Sequence, residues 1–460
     1  MIPEASDFWF LPLGGTGEIG MNMNLYGHDG QWLMVDCGIT FAKPTEEEKA
    51  LGLPASAPPV QMADPEFIAS RRESLVALII THAHEDHVGA VPYLWEILKC
   101  PIYTTRFTAE ILTRKLQEVG LHRKVPIHVV DPEIRHQIGK FDVQWVPLTH
   151  SIPDAFALAI RTPVAKIFHT ADWKLDPAPV IGNGYQAEHY QALGEEGMNA
   201  MICDSTTANV AGHSISEASL HDGLKSIIEN APGRVVVTCF GSNLARLKTL
   251  YDIAGECDRH FALLGRSMIN MASAAKASQV WSQQSNLVDA NYLCYLPKQT
   301  VLAVATGSQG EPRTALYRLS HDNFFDLALE PGDTVIFSSR AIPGNEEAIQ
   351  ELIDRLEAMQ VTVVTQESTE QPIHASGHPA IDELKNMYRW VKPDMAIPVH
   401  GEPAHLRAHG KLAASVGVPS HQVGENGDLY YIAPYRGIRR NAVKTGRLGL
   451  VKRKLVPIED

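Results

Sequence analysis

Thr81-His82-Ala83-His84-Glu85-Asp86-His87 places three imidazoles and the Asp86 carboxylate within six consecutive positions, directly after the apolar run Leu75-Val76-Ala77-Leu78-Ile79-Ile80. Neutral imidazole and carboxylate are the ligands taken up by zinc and its first-row neighbours, and a short loop ending a buried strand can aim several of them at one point. Three protonated histidines this close would repel, so a bound cation is the natural reason to keep them together. A solvated loop of idle histidines is the commoner reading for one isolated histidine; it does not suit His-x-His-x-Asp-His after a strand.

The chain has 460 residues, 45% apolar and 20% charged, which predicts two or three globular domains with ample core. No uninterrupted apolar run is long enough to span a bilayer, and the start Met1-Ile2-Pro3-Glu4 lacks a basic region followed by a hydrophobic one, so a cytoplasmic protein without a membrane partner is expected. The six cysteines, Cys37, Cys100, Cys203, Cys239, Cys257 and Cys294, lie far apart and read as reduced core residues. A net charge of −13 excludes indiscriminate coating of nucleic acid, though not a local phosphate channel beside metal. The basic segment Arg436 to Lys454 reads as a solvated terminal stretch.

The histidine motif is similar to the signature of metallo-β-lactamase-fold hydrolases. That resemblance implies further ligands from strand ends downstream, and the chain supplies His150 after Val146-Pro147-Leu148-Thr149, Asp172 after Ile167-Phe168-His169-Thr170-Ala171, and His400 after Ile397-Pro398-Val399.

Strand patterns cover Phe8 to Leu13, Trp32 to Val35, Leu75 to Ile80, Val143 to Leu148, Phe156 to Ile160 and Ala200 to Cys203, with helices over Val91 to Leu98 and Phe107 to Val119. From Ser214 the rhythm becomes regular alternation: Ser214 and Glu217 are spaced as a capping box for a helix through Ile228, and strand and helix patterns then alternate from Arg234 to Thr365. The resemblance implies an α/β fold, an αββα metallo-β-lactamase sandwich over 1–207 and 366–460; because His400 must return to the first ligands, the α/β domain over 208–365 reads as an insertion in it. Phe41 to Asp64 is the expected long loop.

Gly15-Thr16-Gly17-Glu18-Ile19-Gly20 matches the dinucleotide-binding glycine pattern, with Asp36 at the distance of a ribose-binding acid. That fingerprint needs a helix to begin within the glycines. Met21 to Gly30 reads instead as a strand running to an Asp29-Gly30 turn, with Trp32 to Val35 as its partner, so the glycines are expected to form a tight loop near the metal.

The inserted region narrows the resemblance. Cys203-Asp204-Ser205-Thr206, Phe240-Gly241-Ser242-Asn243, Gly265-Arg266-Ser267-Met268, Thr306-Gly307-Ser308-Gln309-Gly310-Glu311-Pro312, Ile336 to Glu346, His374-Ala375-Ser376-Gly377-His378 and Pro398-Val399-His400-Gly401-Glu402 resemble the β-CASP nucleases, above all the ribonuclease J family. The chain departs from that family's pattern at Gly241, usually alanine, and at Thr207, usually asparagine. The resemblance implies one divalent metal, zinc or alternatively manganese, on His82, His84, His150 and Asp172, and a second on Asp86, His87, Asp172 and His400. It implies catalytic roles for Asp86, Asp204, His378 and His400, and RNA-phosphate contacts from Gly241, Ser242, Asn243, His374, Ala375, Ser376, Gly377 and His378.

The activity so implied is hydrolysis of single-stranded RNA by a two-metal-activated water, 5′-to-3′ from 5′-monophosphate ends, with endonucleolytic cutting as a further mode. A β-CASP DNA nuclease and a non-catalytic RNA-binding subunit are the alternatives. Family members continue into a further C-terminal domain that supports a homodimer; this sequence ends at Asp460, so dimerisation is only a weak expectation.

Overall fold

The computed structural model describes residues 1–42, 48, 55–282, 284–342 and 344–458. Strands Phe8–Gly14, Met23–His28, Gln31–Val35 and Leu75–Ile79 form the middle of an eight-stranded sheet. Facing it is a seven-stranded sheet built around Phe141–Pro147, Phe156–Arg161, Lys166–His169, Ala200–Asp204 and Met395–Val399. Alternation makes the sandwich: Phe8 and Phe10 point inward against Phe141, Trp145, Ile160 and Ile202, whereas Trp9 and Leu11 point outward. The outward face packs on helices Val91–Leu98 and Arg106–Glu118, and the opposite sheet on helices Ala187–Glu196, Ile381–Val391 and Pro403–Ser415. Burying each such aromatic ring stabilises the fold by roughly 1.5–3 kcal/mol.

Ala200–Asp204 and Met395–Val399 are parallel neighbours, Asp204 opposite Val399, although the chain between them builds another sheet. That sheet has five parallel strands in the order His260–Leu264, Val301–Ala305, Val235–Thr238, Thr334–Phe337, Thr362–Val364. Apolar side chains cover both of its faces, as parallel strands require. The hairpin expected at Asp29-Gly30 is present, with His28 opposite Gln31 and φ of 44° and 77° at the turn, the left-handed pair that matches strand twist.

Several expectations are corrected. Ser214 does not cap a helix. Its amide and hydroxyl donate to Glu383 at 2.7 and 2.8 Å, and Ser216 caps the following turn, because Glu217 is drawn inward to pair with Arg246. Val60–Ala63, expected in a loop, is a strand against Ile39–Phe41; Pro44 and Pro54 of that expected loop lie outside the described residues. The basic segment is not a solvated tail: Arg447–Val451 pairs with Val60–Ala63 and with Lys454–Ile458 to complete a four-stranded sheet. Cys37, Cys100, Cys203 and Cys239 are buried, but Cys257 is half-buried and Cys294 exposed. No helix among the described residues is long and apolar enough to cross a membrane.

Candidate metal centre

The histidine motif begins where strand Leu75–Ile79 ends, and its last residues form the short helix Glu85–Val88. His150, Asp172, Asp204 and His400 follow or end strands of the facing sheet, so the side chains of both sheets meet at one rim of the sandwich. Ala171 and His400 take left-handed backbone, φ 52° and 51°, a conformation costing about 1–3 kcal/mol for such residues and concentrated where a site demands it.

Three sets of side chains each bring their donor atoms within 4.8 Å of one another: His82, His84, His150 and Asp172; Asp86, His87, Asp172 and His400; and Asp172, Asp204, His378 and His400. All seven expected metal ligands therefore converge, and Asp172 belongs to every set. The third set, which joins the catalytic candidates Asp204 and His378 to the others, is not visible in the spacing of the sequence.

Hydrogen bonds outside the sets aim the rings. His82 Nδ1 donates to Thr81 Oγ1 at 3.1 Å, and that hydroxyl donates to Asp36 at 2.9 Å. His87 Nδ1 donates to Asp36 Oδ2 at 2.8 Å, and His150 Nδ1 to the Gly377 carbonyl at 2.6 Å. Each bond leaves an Nε2 lone pair facing inward, the second-sphere arrangement typical of metal-bound histidine. His84 Nδ1 lies 3.1 Å from His82 Nε2 and 3.0 Å from His150 Nε2. Ligands 2.0–2.1 Å from a tetrahedral zinc stand about 3.3 Å apart, so this spacing fits a cation. Asp172 Oδ1 is buried without a hydrogen bond, a further polar atom that a cation would satisfy.

Electrostatics agree. Burial, helped by neighbouring imidazoles, holds His82 and His150 well below the usual imidazole range, and burial lowers His84 to about 4. Burial also pushes His87 and His400 down, but Asp172 and the other carboxylates outweigh it and hold both well above that range. The second set is thus rich in negative charge. Burial likewise opposes protonation of His378, yet the Asp204 carboxylate, 2.8 Å from its Nδ1, raises it.

Residues not singled out for the site complete it. Asn22 Nδ2 lies 3.1 Å from the Asp86 carbonyl and 3.2 Å from His87 Nε2. Thr206 donates through both its amide and its hydroxyl to Asp204 Oδ1, at 2.8 and 2.7 Å. Asp36, matched above to a nucleotide-binding acid, instead orients His87. The glycine loop is a tight turn at the site: Gly15, Gly17 and Gly20 have positive φ, and the Gly15 carbonyl accepts the His400 amide at 2.6 Å. Asn426 clasps the same loop through the Thr16 amide at 2.9 Å, and Arg447 pairs with Glu18.

Of the expected phosphate contacts, Gly241, Ser242 and Asn243 stand at the start of helix Leu244–Glu256, where Asn243 Oδ1 is engaged in capping the Arg246 amide at 2.9 Å. The His374–His378 segment lies against the candidate ligands: a Cβ on Gly377 would stand 2.9 Å from His150. Ala375 is buried, Ser376 Oγ accepts the His378 amide at 3.1 Å, and His374, lowered to about 3 chiefly by burial, has a buried Nδ1 without a partner.

Residues 17–184 match the metallo-beta-lactamase superfamily, 232–356 the beta-CASP domain of ribonuclease J, and 368–422 the Zn-dependent metallo-hydrolase RNA specificity domain. Ribonuclease J of Sinorhizobium meliloti is 41% identical over 429 residues, 92% of this chain and 74% of that protein. The chain belongs to the ribonuclease J family. Two further ribonuclease J proteins bear this out: that of Mycolicibacterium smegmatis is 37% identical, over 95% of this chain and 76% of its own length, and that of Helicobacter pylori strain B128 is 34% identical, over 95% and 62%. A solved structure of a protein of unknown function from Enterococcus faecalis shares the fold, with a TM-score of 0.61 and 17% identity over 92% of this chain and 100% of that one. The architecture is thus the ribonuclease J one, a metallo-β-lactamase domain interrupted by a β-CASP domain.

Proposed function

We propose that this chain is a metal-dependent ribonuclease that hydrolyses single-stranded RNA in RNA processing and decay, 5′-to-3′ from 5′-monophosphate ends, with internal cutting as a second mode. The observation that carries the reading is the sharing of Asp172 by two four-residue ligand sets, with His378 and Asp204 against both. Bound at those sets, two divalent ions, zinc or manganese, supply an acidified water and neutralise charge on the non-bridging phosphate oxygens.

The chain's own residues do the rest. Asp86, with Oδ2 3.1 Å from His400 Nε2, orients the attacking water and receives its proton. Asp204 holds His378 through Nδ1, which leaves Nε2–H to protonate the leaving oxygen as its bond to phosphorus breaks. Gly377, Ser376, Gly241 and Ser242 are small enough to let backbone amides approach phosphate closely. We place the inserted domain at 208–365 between sandwich segments 1–207 and 366–460, on the ground that Asp204 and Val399 are strand neighbours.

The test is incubation with 5′-monophosphorylated and 5′-triphosphorylated RNA and with DNA of the same sequence, each with zinc or manganese and with chelator. Metal-dependent loss of the monophosphorylated RNA first, and its abolition in Asp172→Asn with unchanged far-UV circular dichroism, are the expected results. RNA that survives high enzyme concentration with metal supplied ends the reading.

A further inference from the structure

Arg246 is fully buried on the first turn of helix Leu244–Glu256, and the chemistry above makes no use of it. Its Nε and Nη2 donate to the two Glu217 carboxylate oxygens at 3.2 and 3.1 Å. Nη1 donates to the Ser338 carbonyl at 2.7 Å, to the Ser338 hydroxyl and to the Ile373 carbonyl at 3.2 Å. Ser338 Oγ donates to the same Ile373 carbonyl at 2.6 Å.

Each partner leads to the site. Ile373 opens the His374–His378 segment, whose Gly377 carbonyl holds His150. The Glu217 amide donates to Asp176 at 2.9 Å, and Asp176 pairs with Lys174 at 3.2 Å, in the segment that follows Asp172. The Arg246 amide is capped by Asn243, which ends the Gly241–Asn243 loop. A buried ion pair is a poor device for stability alone, since desolvation offsets much of its attraction and apolar side chains would serve as well. What apolar packing cannot do is fix four chain segments by the directions of one planar fork.

We infer that Arg246 is a positioning residue: it fixes the Gly241–Asn243 and His374–His378 loops to each other and to the segment after Asp172, and so sets affinity for RNA rather than occupancy of the metal sets. The inference rests on the ribonuclease reading. The test compares steady-state kinetics on 5′-monophosphorylated RNA and zinc content for the parent chain, R246K and the double variant R246M/E217Q, which removes both charges and leaves none unpaired.

The double variant should raise KM about tenfold while kcat stays within about threefold and zinc content is unchanged, and R246K should recover part of that affinity. If the double variant does not fold by thermal melting, R246K alone decides, with a KM rise of about threefold expected. KM within about twofold of the parent, a kcat loss exceeding the KM change, or loss of zinc overturns the assignment. The parent is the control that separates the two ideas. A parent that leaves RNA intact removes the ribonuclease reading, whereas a cleaving parent whose variants keep its KM removes only the role of Arg246.

Discussion

Asp36 Oδ2 and His87 Nδ1 stand 2.8 Å apart, both fully or almost fully buried, and the same carboxylate takes the amide and hydroxyl of Thr81. One acid thus sets the ring orientation of His87 directly and that of His82 through a threonine. Asp36→Asn keeps the size and loses the charge that favours an inward-facing Nε2. Cation affinity should fall about 10–100-fold, the usual loss for an outer partner of a ligating histidine. Competition with a chelator measures it, and an unchanged constant would show that Asp36 does not orient the ligands.

Acid should empty the two ligand sets in order. His84 at about 4, with His82 and His150 also held low, is neutral and ready to bind through the mildly acidic range. His87 and His400, held high by carboxylates, must each release a proton before binding a cation, so their affinity weakens as pH falls from neutrality. Equilibrium dialysis with zinc should therefore give two ions per chain at neutral pH, one after the second set has taken up its protons, and none once His84, lowered to about 4, is protonated as well. Release of both ions in a single step would contradict the assignment.

Gly38 has no room for a side chain. A Cβ there would stand 1.6 Å from the Asp86 carbonyl oxygen and 2.7 Å from the His87 amide nitrogen, atoms of main chain that cannot swing aside. Gly38→Ala should cost at least about 1–3 kcal/mol in urea unfolding and displace the second ligand set, seen as loss of one zinc per chain. Gly437→Ala, whose Cβ would meet nothing nearer than 4.0 Å, is the matched control and should change neither quantity.

The convergence of these residues was legible in the sequence because the candidate ligands sit at the ends of apolar strands, and strands of a sandwich project their ends to a common rim. His82 to His87, His150, Asp172 and His400 could be placed on that basis together with the family resemblance. Asp36 could not be placed, because its partners Thr81 and His87 are 45 and 51 positions away and a glycine-rich neighbour offered a nearer explanation. Ser214 failed for a related reason. Local spacing suited a cap, but Glu383, 169 positions on, held its amide and hydroxyl, while Arg246 drew Glu217 into the interior. The segment from Arg436 onward read as solvent-facing by charge, and its pairing with Leu429–Ala433, with Val60–Ala63 and with itself reveals the strands. Composition reports what a segment can bury locally; it is silent on which distant edge awaits it.

The clasp of Asn426 and Arg447 on the glycine loop behind His400 gives synthesis of the protein a direction. A ribosome delivers all four residues of the first set by Asp172, and the Gly377 carbonyl that aims His150 comes later. The second ligand set waits for His400, and the turn that braces His400 waits longer still for Arg447. A growing chain that has reached Asp172 therefore holds the first set entire and the second still without His400 and its brace.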